Sequence, residues 1–293
     1  MRVHHLNCGC MCPLGGAWFD GYSRGLTASL PCHCLLIETE RSGLMLVDTG
    51  FGQQDVQHPQ RLSRMFRVMN NIRLEHRFTA VGQIRRLGLD PEDVRHILLT
   101  HLDFDHAGGL SDFPGARVHV MAAERHQAEG APGWLDRRRF SAPQWRDVQN
   151  WQLYLPQGDK WFGFDSVRAV IGAEQEDVLL VPLPGHTEGH AGIAVRTAEG
   201  WKLHAGDAYF HHDEVHAAER WCPPGKRLYQ RLMDTQRPLR FYNQRRLRDL
   251  ARDQQGAMEI FCSHDLAELQ RAQAVSDDAT RWQAGGEAAC ASP

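Results

Sequence analysis

Four side chains able to bind a metal cation fall within six positions: His101, Asp103, Asp105 and His106, in the run His101-Leu102-Asp103-Phe104-Asp105-His106-Ala107-Gly108-Gly109. In an extended segment alternate side chains share one side, so His101, Asp103 and Asp105 converge, and a turn ahead of the two glycines brings His106 round. Imidazole and carboxylate donors so concentrated suit Zn²⁺, Fe or Mn²⁺. The spacing allows two adjacent ions, with His101 serving one and Asp105 and His106 the other. A polar loop that merely decorates the surface is the alternative. Three later segments speak against it, because each sets a donor just after a strand-like run: Pro184-Gly185-His186-Thr187-Glu188-Gly189-His190, His204-Ala205-Gly206-Asp207 and Ile260-Phe261-Cys262-Ser263-His264-Asp265. The chemistry of such a centre is water activation. Coordination lowers the pKa of water from 15.7 to about 7, which makes hydroxide available at neutral pH.

These donors need scaffolding, and the apolar runs supply it. His96 to Thr100 and Val178 to Leu183 read as buried strands, each launching a loop from its carboxyl end. Residues 1 to 7 and 29 to 49 read as strands, with a hairpin turn at Glu40-Arg41-Ser42-Gly43. Further strands are expected at 116–121, 191–196 and 258–263, and helices at 81–87 (ending at Gly88), after 121 through His126, within the basic stretch 226–253 (broken near Pro238), and after an N-cap at Asp265. Donors from residue 101 to residue 264 must meet at one place, so a single large domain is the economical reading.

Taken together, these residues resemble the signature of the metallo-β-lactamase superfamily: His-x-His-x-Asp-His, a His in a Pro-Gly-His turn, an Asp commonly preceded by Gly, and a final His. The matching positions are His101, Asp105, His106, His186, Asp207 and His264, and the resemblance spans about residues 1 to 275. It implies an α/β fold, the four-layer αββα sandwich. It also implies two divalent metal ions, zinc first with Fe or Mn as alternatives: His101, His186 and Asp103 at one, Asp105, His106 and His264 at the other, and Asp207 between them. The sequence departs from the signature at Asp103, where the second histidine should stand. A carboxylate still ligates a hard metal, and the flavodiiron branch has Glu here, but Asp is shorter and adds negative charge.

The implied activity is hydrolysis of an ester-like bond, closest to the lactonase-like members that cleave cyclic esters such as acyl-homoserine lactones. Phosphodiester or thioester hydrolysis is the alternative within the fold, and a non-catalytic or redox metal-binding protein is the one that Asp103 opens. Asp105 would pass a proton to the leaving group. Tyr209 could donate to a developing oxyanion, or simply pack; lactonase relatives carry their Tyr one residue further on, where this chain has Phe210. Asp48, in Asp48-Thr49-Gly50, resembles the superfamily's Asp-Thr-Gly, which supports the metal loop from behind. Thr100 and His190 would orient ligands in the same way, with a structural role as the alternative.

Around this centre the sequence is less directive. Residues 53–79 are rich in Arg and Met, fitting either a substrate-covering insertion or a solvated helix face. The region 130–165 holds Trp134, Trp145, Trp151 and Trp161, either lining a pocket or forming a satellite core. The Ala/Gly/Ser-rich residues 276–293 read as a flexible tail. A net charge of −3 gives no global attraction to nucleic acid or anionic membrane, so a small-molecule substrate is expected, and a homodimer is compatible with it. No apolar run is long enough to cross a membrane and the opening residues lack a signal-peptide core, which makes the cytoplasm the expected compartment. The eight cysteines, with clusters at Cys8/Cys10/Cys12 and Cys32/Cys34, are expected to be thiols serving as small buried apolar residues.

Overall fold

The computed structural model describes residues 1–131, 133–173 and 177–276. Its strands are β1 (Arg2–Met11), β2 (Leu30–Glu38), β3 (Leu44–Val47), β4 (Ile72–Arg73), β5 (Val94–Leu98), β6 (Arg117–Met121), β7 (Trp151–Tyr154), β8 (Asp159–Trp161), β9 (Phe164–Ala169), β10 (Val178–Pro182), β11 (Ala191–Thr197), β12 (Gly200–His204) and β13 (Met258–Phe261). They form a seven-stranded sheet in the order β4-β1-β2-β3-β5-β6-β7 and a six-stranded sheet in the order β13-β12-β11-β10-β9-β8. Strands β3, β5, β6 and β7 run parallel, as do β12 and β13, so their carboxyl ends, and the loops that leave them, lie on a common edge.

Alternation along the strands sorts the core into three slabs. Leu35, Ile37, Met45, Val47 and Leu98 face the second sheet, meeting Val178, Leu180, Ile193, Val195 and Phe261. Their neighbours Leu36, Leu46, Ile97 and Val118 point the other way and pack on Ala80, Val81 and Ile84 of the helix Ala80–Arg86. Beyond the second sheet, Val181, Ala194, Leu203 and Ile260 pack on Leu247 and Leu250 of the helix Arg237–Asp253. Helix, sheet, sheet and helix give the four layers expected of the αββα sandwich.

Local chemistry explains several boundaries. Thr79 caps the helix Ala80–Arg86, its hydroxyl accepting from Gly82 N at 3.1 Å, and Gly88 turns the chain out with φ +79°. The basic stretch divides into helices Pro224–Met233 and Arg237–Asp253, and Pro238 sits in the first turn of the second, where no N–H is needed. Asp265 caps the helix Leu266–Val275 by accepting from Glu268 N at 3.0 Å.

The undecided regions now separate. Residues 53–79 hold two short helices, Gln53–Gln57 and Arg64–Met69, with Arg61 paired to the buried Asp55 and Arg77 paired to Glu75 at the surface. The tryptophans of 130–165 divide: Trp145 is buried in the core on the outer side of the first sheet with Trp151 packed on it, each 4.5 Å from the Arg125 guanidinium, Trp161 stands edge-on to Trp201 at the edge of the other core, and Trp134 is exposed. Cys8, Cys12, Cys32, Cys34, Cys222 and Cys262 are free and buried, whereas Cys10 is disulfide-bonded, which corrects the expectation of thiols throughout. The expected tail, including Cys290, falls beyond residue 276 and outside the described residues. Among the described residues no helix is long and apolar enough to cross a membrane.

Candidate metal centre

All seven expected ligands lie at strand ends and are buried together. The loop after β5 brings His101, Asp103, Asp105 and His106; the turn after β10 brings His186; the loop after β12 brings Asp207; and Cys262-Ser263 after β13 leads to His264. Gly206 is required just before Asp207: its φ is +55°, and a Cβ there would stand 2.5 Å from His190 Nε2.

The donors fall into two groups sharing one carboxylate. In the first, Asp103 Oδ2 lies 3.3 Å from His101 Nε2 and 3.0 Å from His186 Nε2, while Asp207 Oδ2 lies 3.8 and 3.4 Å from the same two nitrogens. In the second, His264 Nε2 lies 3.4 Å from Asp105 Oδ2 and 3.3 Å from Asp207 Oδ1, with His106 Nε2 at 4.0 and 3.4 Å from these oxygens. Ligands held about 2.0–2.1 Å from one tetrahedral ion stand about 3.3 Å apart, so both groups have the spacing of a cation's ligands. The buried Nε2 atoms of His101 and His106 and Oδ1 of Asp207 have no hydrogen-bond partner among the described residues. Buried polar atoms are rarely left so, and a divalent ion would satisfy all three.

Three of the four ligand imidazoles are turned by a partner on the other nitrogen, as ligating histidines require, whereas His186 Nδ1 has no hydrogen-bond partner among the described residues and lies 4.0 Å from Asp234 Oδ1. His106 Nδ1 donates to Asp48 Oδ2 at 2.8 Å, and His264 Nδ1 to the Pro31 carbonyl at 2.8 Å. The Thr100 hydroxyl donates to Asp48 Oδ2 at 2.7 Å, so His101 Nδ1, at 2.9 Å, donates to Thr100 Oγ1. Asp48 reaches these partners from a left-handed backbone, φ +55°, a strained conformation for a residue with a side chain. His190 accepts from Asp207 N at 2.8 Å while its Nδ1 donates to the Leu183 carbonyl at 3.0 Å. Asp48, Thr100 and His190 thus stand behind the ligands.

Electrostatics show what the cluster lacks. Burial works against a charge on His106, but the Asp207, Asp48 and Asp105 carboxylates outweigh it and push this imidazole up to about 10. Burial and the neighbouring His106 push His101 down to about 4. Without an ion, His106 keeps its proton up to about pH 10, against 6.5 for the unfolded chain. The stabilisation this proton provides is complete below the lower value and is lost as pH rises toward the upper one. An ion must displace that proton, so affinity rises with pH. The zinc-induced rise in Tm of chelator-stripped protein is therefore expected to be larger at pH of about 8.5 than at about 6, by several degrees. A rise that is flat or falls with pH, measured by scanning fluorimetry, contradicts this.

Three residues revise the sequence reading. The oxyanion role expected of Tyr209 conflicts with its position: it is packed under the helix Arg237–Asp253, and its hydroxyl donates to Glu268 Oε1 at 2.9 Å. Tyr229, on the helix Pro224–Met233, is instead the buried phenol raised first by burial and then by Asp105, so it lies within the field of the cluster. Glu124 was unanticipated. Its Oε1 accepts from Leu102 N at 2.8 Å, and its Oε2 accepts from the Thr187 hydroxyl at 2.5 Å and from Gly189 N at 3.2 Å, pinning the β5 and β10 loops to each other. The third is Arg139, whose guanidinium meets the Asp103 carboxylate at 2.5 and 2.6 Å. His211, His212 and Asp265 form a separate group next to Lys226 and do not join the centre.

Above the centre sits a buried apolar cluster that includes Met11, Phe19, Phe51, Phe66, Phe104, Phe210 and Met233. Phe210 reaches the ligands themselves, its ring centroid 4.9 Å from that of His264 and 6.1 Å from that of His186.

Comparison with known proteins agrees with this geometry. A family profile described as the metallo-beta-lactamase superfamily matches residues 28–254. The chain is 41% identical over 267 residues to a probable metallo-hydrolase of Mycobacterium tuberculosis, covering 90% of this chain and 80% of that one. It is 31% identical over 176 residues to an N-acyl homoserine lactonase of a Bacillus species, covering 59% of this chain and 61% of that one. Among solved structures, an N-acyl homoserine lactone hydrolase with N-hexanoyl-L-homoserine bound at its catalytic metal center superposes with a TM-score of 0.65 at 23% identity, over 92% of this chain and 95% of that one, which speaks to the fold. The chain belongs to the metallo-beta-lactamase superfamily and is a metallo-hydrolase of that family.

Proposed function

We propose that this metallo-hydrolase opens an ester-like bond in a small molecule, and that lactones carrying an apolar acyl group are its substrate class. The observation that carries the reading is the position of Asp207, with one oxygen facing the His101/His186 pair and the other facing the His106/His264 pair. Two divalent ions bound in these groups, zinc being the natural choice for mixed imidazole and carboxylate donors, would supply an acidified water and a Lewis acid for the scissile carbonyl.

The chain's own residues do the remainder. Asp48, Thr100 and the Pro31 carbonyl fix the rings of His106, His101 and His264. Asp105, whose Oδ2 lies 3.4 Å from His264 Nε2 beside the reacting water's place, takes the proton released as water attacks and returns it to the departing alkoxide. Phe210 and the apolar cluster around it keep bulk water from the ligands and favour an acyl chain over a charged group. Arg61 and Arg77 are committed to Asp55 and Glu75, which weighs against an anionic substrate such as a phosphodiester.

The test is a substrate panel on zinc-loaded protein: acyl-homoserine lactones of increasing chain length, a thioester and bis(p-nitrophenyl) phosphate. Lactone kcat/KM is expected to exceed phosphodiester kcat/KM by at least about a hundredfold and to rise with acyl length, as apolar contact accumulates. No turnover of any lactone, or preference for the phosphodiester, overturns the reading.

A further inference from the structure

Asp103 replaces a neutral imidazole with an anion, in a cluster that already holds the carboxylates of Asp105 and Asp207 and has Asp48 behind it. Arg139, the last residue of the short helix Asp136–Arg139, answers it. This side chain is 1% exposed. Its Nε donates to Asp103 Oδ1 at 2.6 Å and one terminal nitrogen donates to Oδ2 at 2.5 Å, a two-point fork. The other terminal nitrogen donates to the Met233 carbonyl at 2.5 Å, anchoring the guanidinium from a second element.

We propose that Arg139 is a positioning residue that pairs with Asp103 to give a charge-neutral substitute for the missing histidine, so that the first cation position keeps its ion. The pair carries the same net charge as the imidazole it stands for. Asp103 Oδ2, besides its bond to Arg139, still lies 3.0 and 3.3 Å from His186 and His101 Nε2, within the spacing of a shared ion. The opposite role, in which the guanidinium itself fills the cation position and competes with metal, would rest on the 2.9 Å contact between Arg139 and His186 Nε2. It fails on His101. A guanidinium seated among the three donors would donate to His101 Nε2 as well, and that nitrogen has no hydrogen-bond partner among the described residues. Arg139 therefore supports the position from its Asp103 side and leaves His101 Nε2 free for the ion, which must take over only the His186 Nε2 contact. A lysine could not reproduce the fork, since its single ammonium cannot meet both carboxylate oxygens in parallel.

This inference rests on the metal-hydrolase reading above, and zinc stoichiometry separates the two. Wild type, Arg139→Met, Arg139→Lys, Asp103→His and the double variant Asp103→His/Arg139→Met are loaded with zinc and dialysed. Zinc per chain is then counted by plasma mass spectrometry, with Tm as the check of folding. Wild type is expected to hold two ions. Arg139→Met should weaken one of them at least about tenfold, and Arg139→Lys should fall between. Asp103→His alone should also weaken it, because a buried guanidinium is left unpaired. The double variant, whose His and Met carry no unpaired charge, should return to two ions and provides the folded control if the Met variant unfolds. If wild type and Arg139→Met both hold two ions equally tightly, or if Arg139→Met binds more zinc than wild type, the pairing role is wrong while the hydrolase reading stands. If wild type binds none, both fall.

Discussion

Replacing Asp207 by alanine is expected to lower kcat/KM by about a thousandfold or more, on the order of 4 kcal/mol of transition-state stabilisation, and to remove both ions together. The joint loss is the distinctive part. Among the described residues Asp207 is the one carboxylate whose two oxygens face different histidine pairs, with Oδ2 3.4 Å from His186 Nε2 and Oδ1 3.3 Å from His264 Nε2. Taking it away deprives both positions of a donor and leaves two opposing cations with less negative charge between them. Asparagine makes a finer probe: its amide presents oxygen to one side and N–H to the other, so at most one position should survive. Steady-state kinetics with zinc counts on the same preparations check both variants. Retention of two ions by the alanine variant contradicts the shared-carboxylate geometry.

The second large effect is on stability. Glu124→Ala is expected to cost about 3 kcal/mol or more and to lower Tm by roughly 6–12 °C, because Leu102 N, Gly189 N and the Thr187 hydroxyl all lose the acceptor they share. The burial of Glu124 is severe enough to raise its carboxyl to about 7, despite the bonds from Thr187 and Leu102 that pull it down. The two segments are in direct contact, since at Gly189 a Cβ would stand 2.0 Å from the backbone nitrogen of Glu124. Since Leu102 and Thr187 adjoin His101 and His186, zinc affinity should fall along with Tm. A thermal melt within a degree or two of wild type would show that the pin is dispensable.

The parts of this centre that could be read from the sequence share one property: each lies just after an apolar run. A buried strand is legible as a short stretch such as Ile97-Leu98-Leu99 or Leu179-Leu180-Val181, and in parallel sheets strand carboxyl ends gather on one edge. Donors at 101–106, 186, 207 and 264 therefore had to meet if the strands did. The residues that escaped have no such address. Arg139 sits on a four-residue helix in a stretch without clear periodicity, and its partner Asp103 lies 36 positions earlier. Glu124 is an acidic residue on a helix, a position usually facing water, and only the approach of the 187–189 turn makes it a buried acceptor. Tyr209 is the converse case: sequence left it open between an oxyanion donor and a packing residue, and two residues of backbone beyond Asp207 turn its hydroxyl onto Glu268, the packing alternative. The phenol within the field of the carboxylates, that of Tyr229, arrives from a separate helix, 22 residues downstream of Asp207 (229 − 207). The departure at Asp103 was visible from the outset; its compensation was not, because charge neutralisation is a property of the folded pair.

Anomalous scattering at the zinc edge from crystals of the zinc-loaded protein tests the central claim most directly. The account predicts two peaks, one bounded by His101, Asp103 and His186 and the other by Asp105, His106 and His264, with Asp207 touching both at about 2.0–2.2 Å. A map with no peak beside Asp207, or with zinc only at His211, His212 and Asp265, would contradict it.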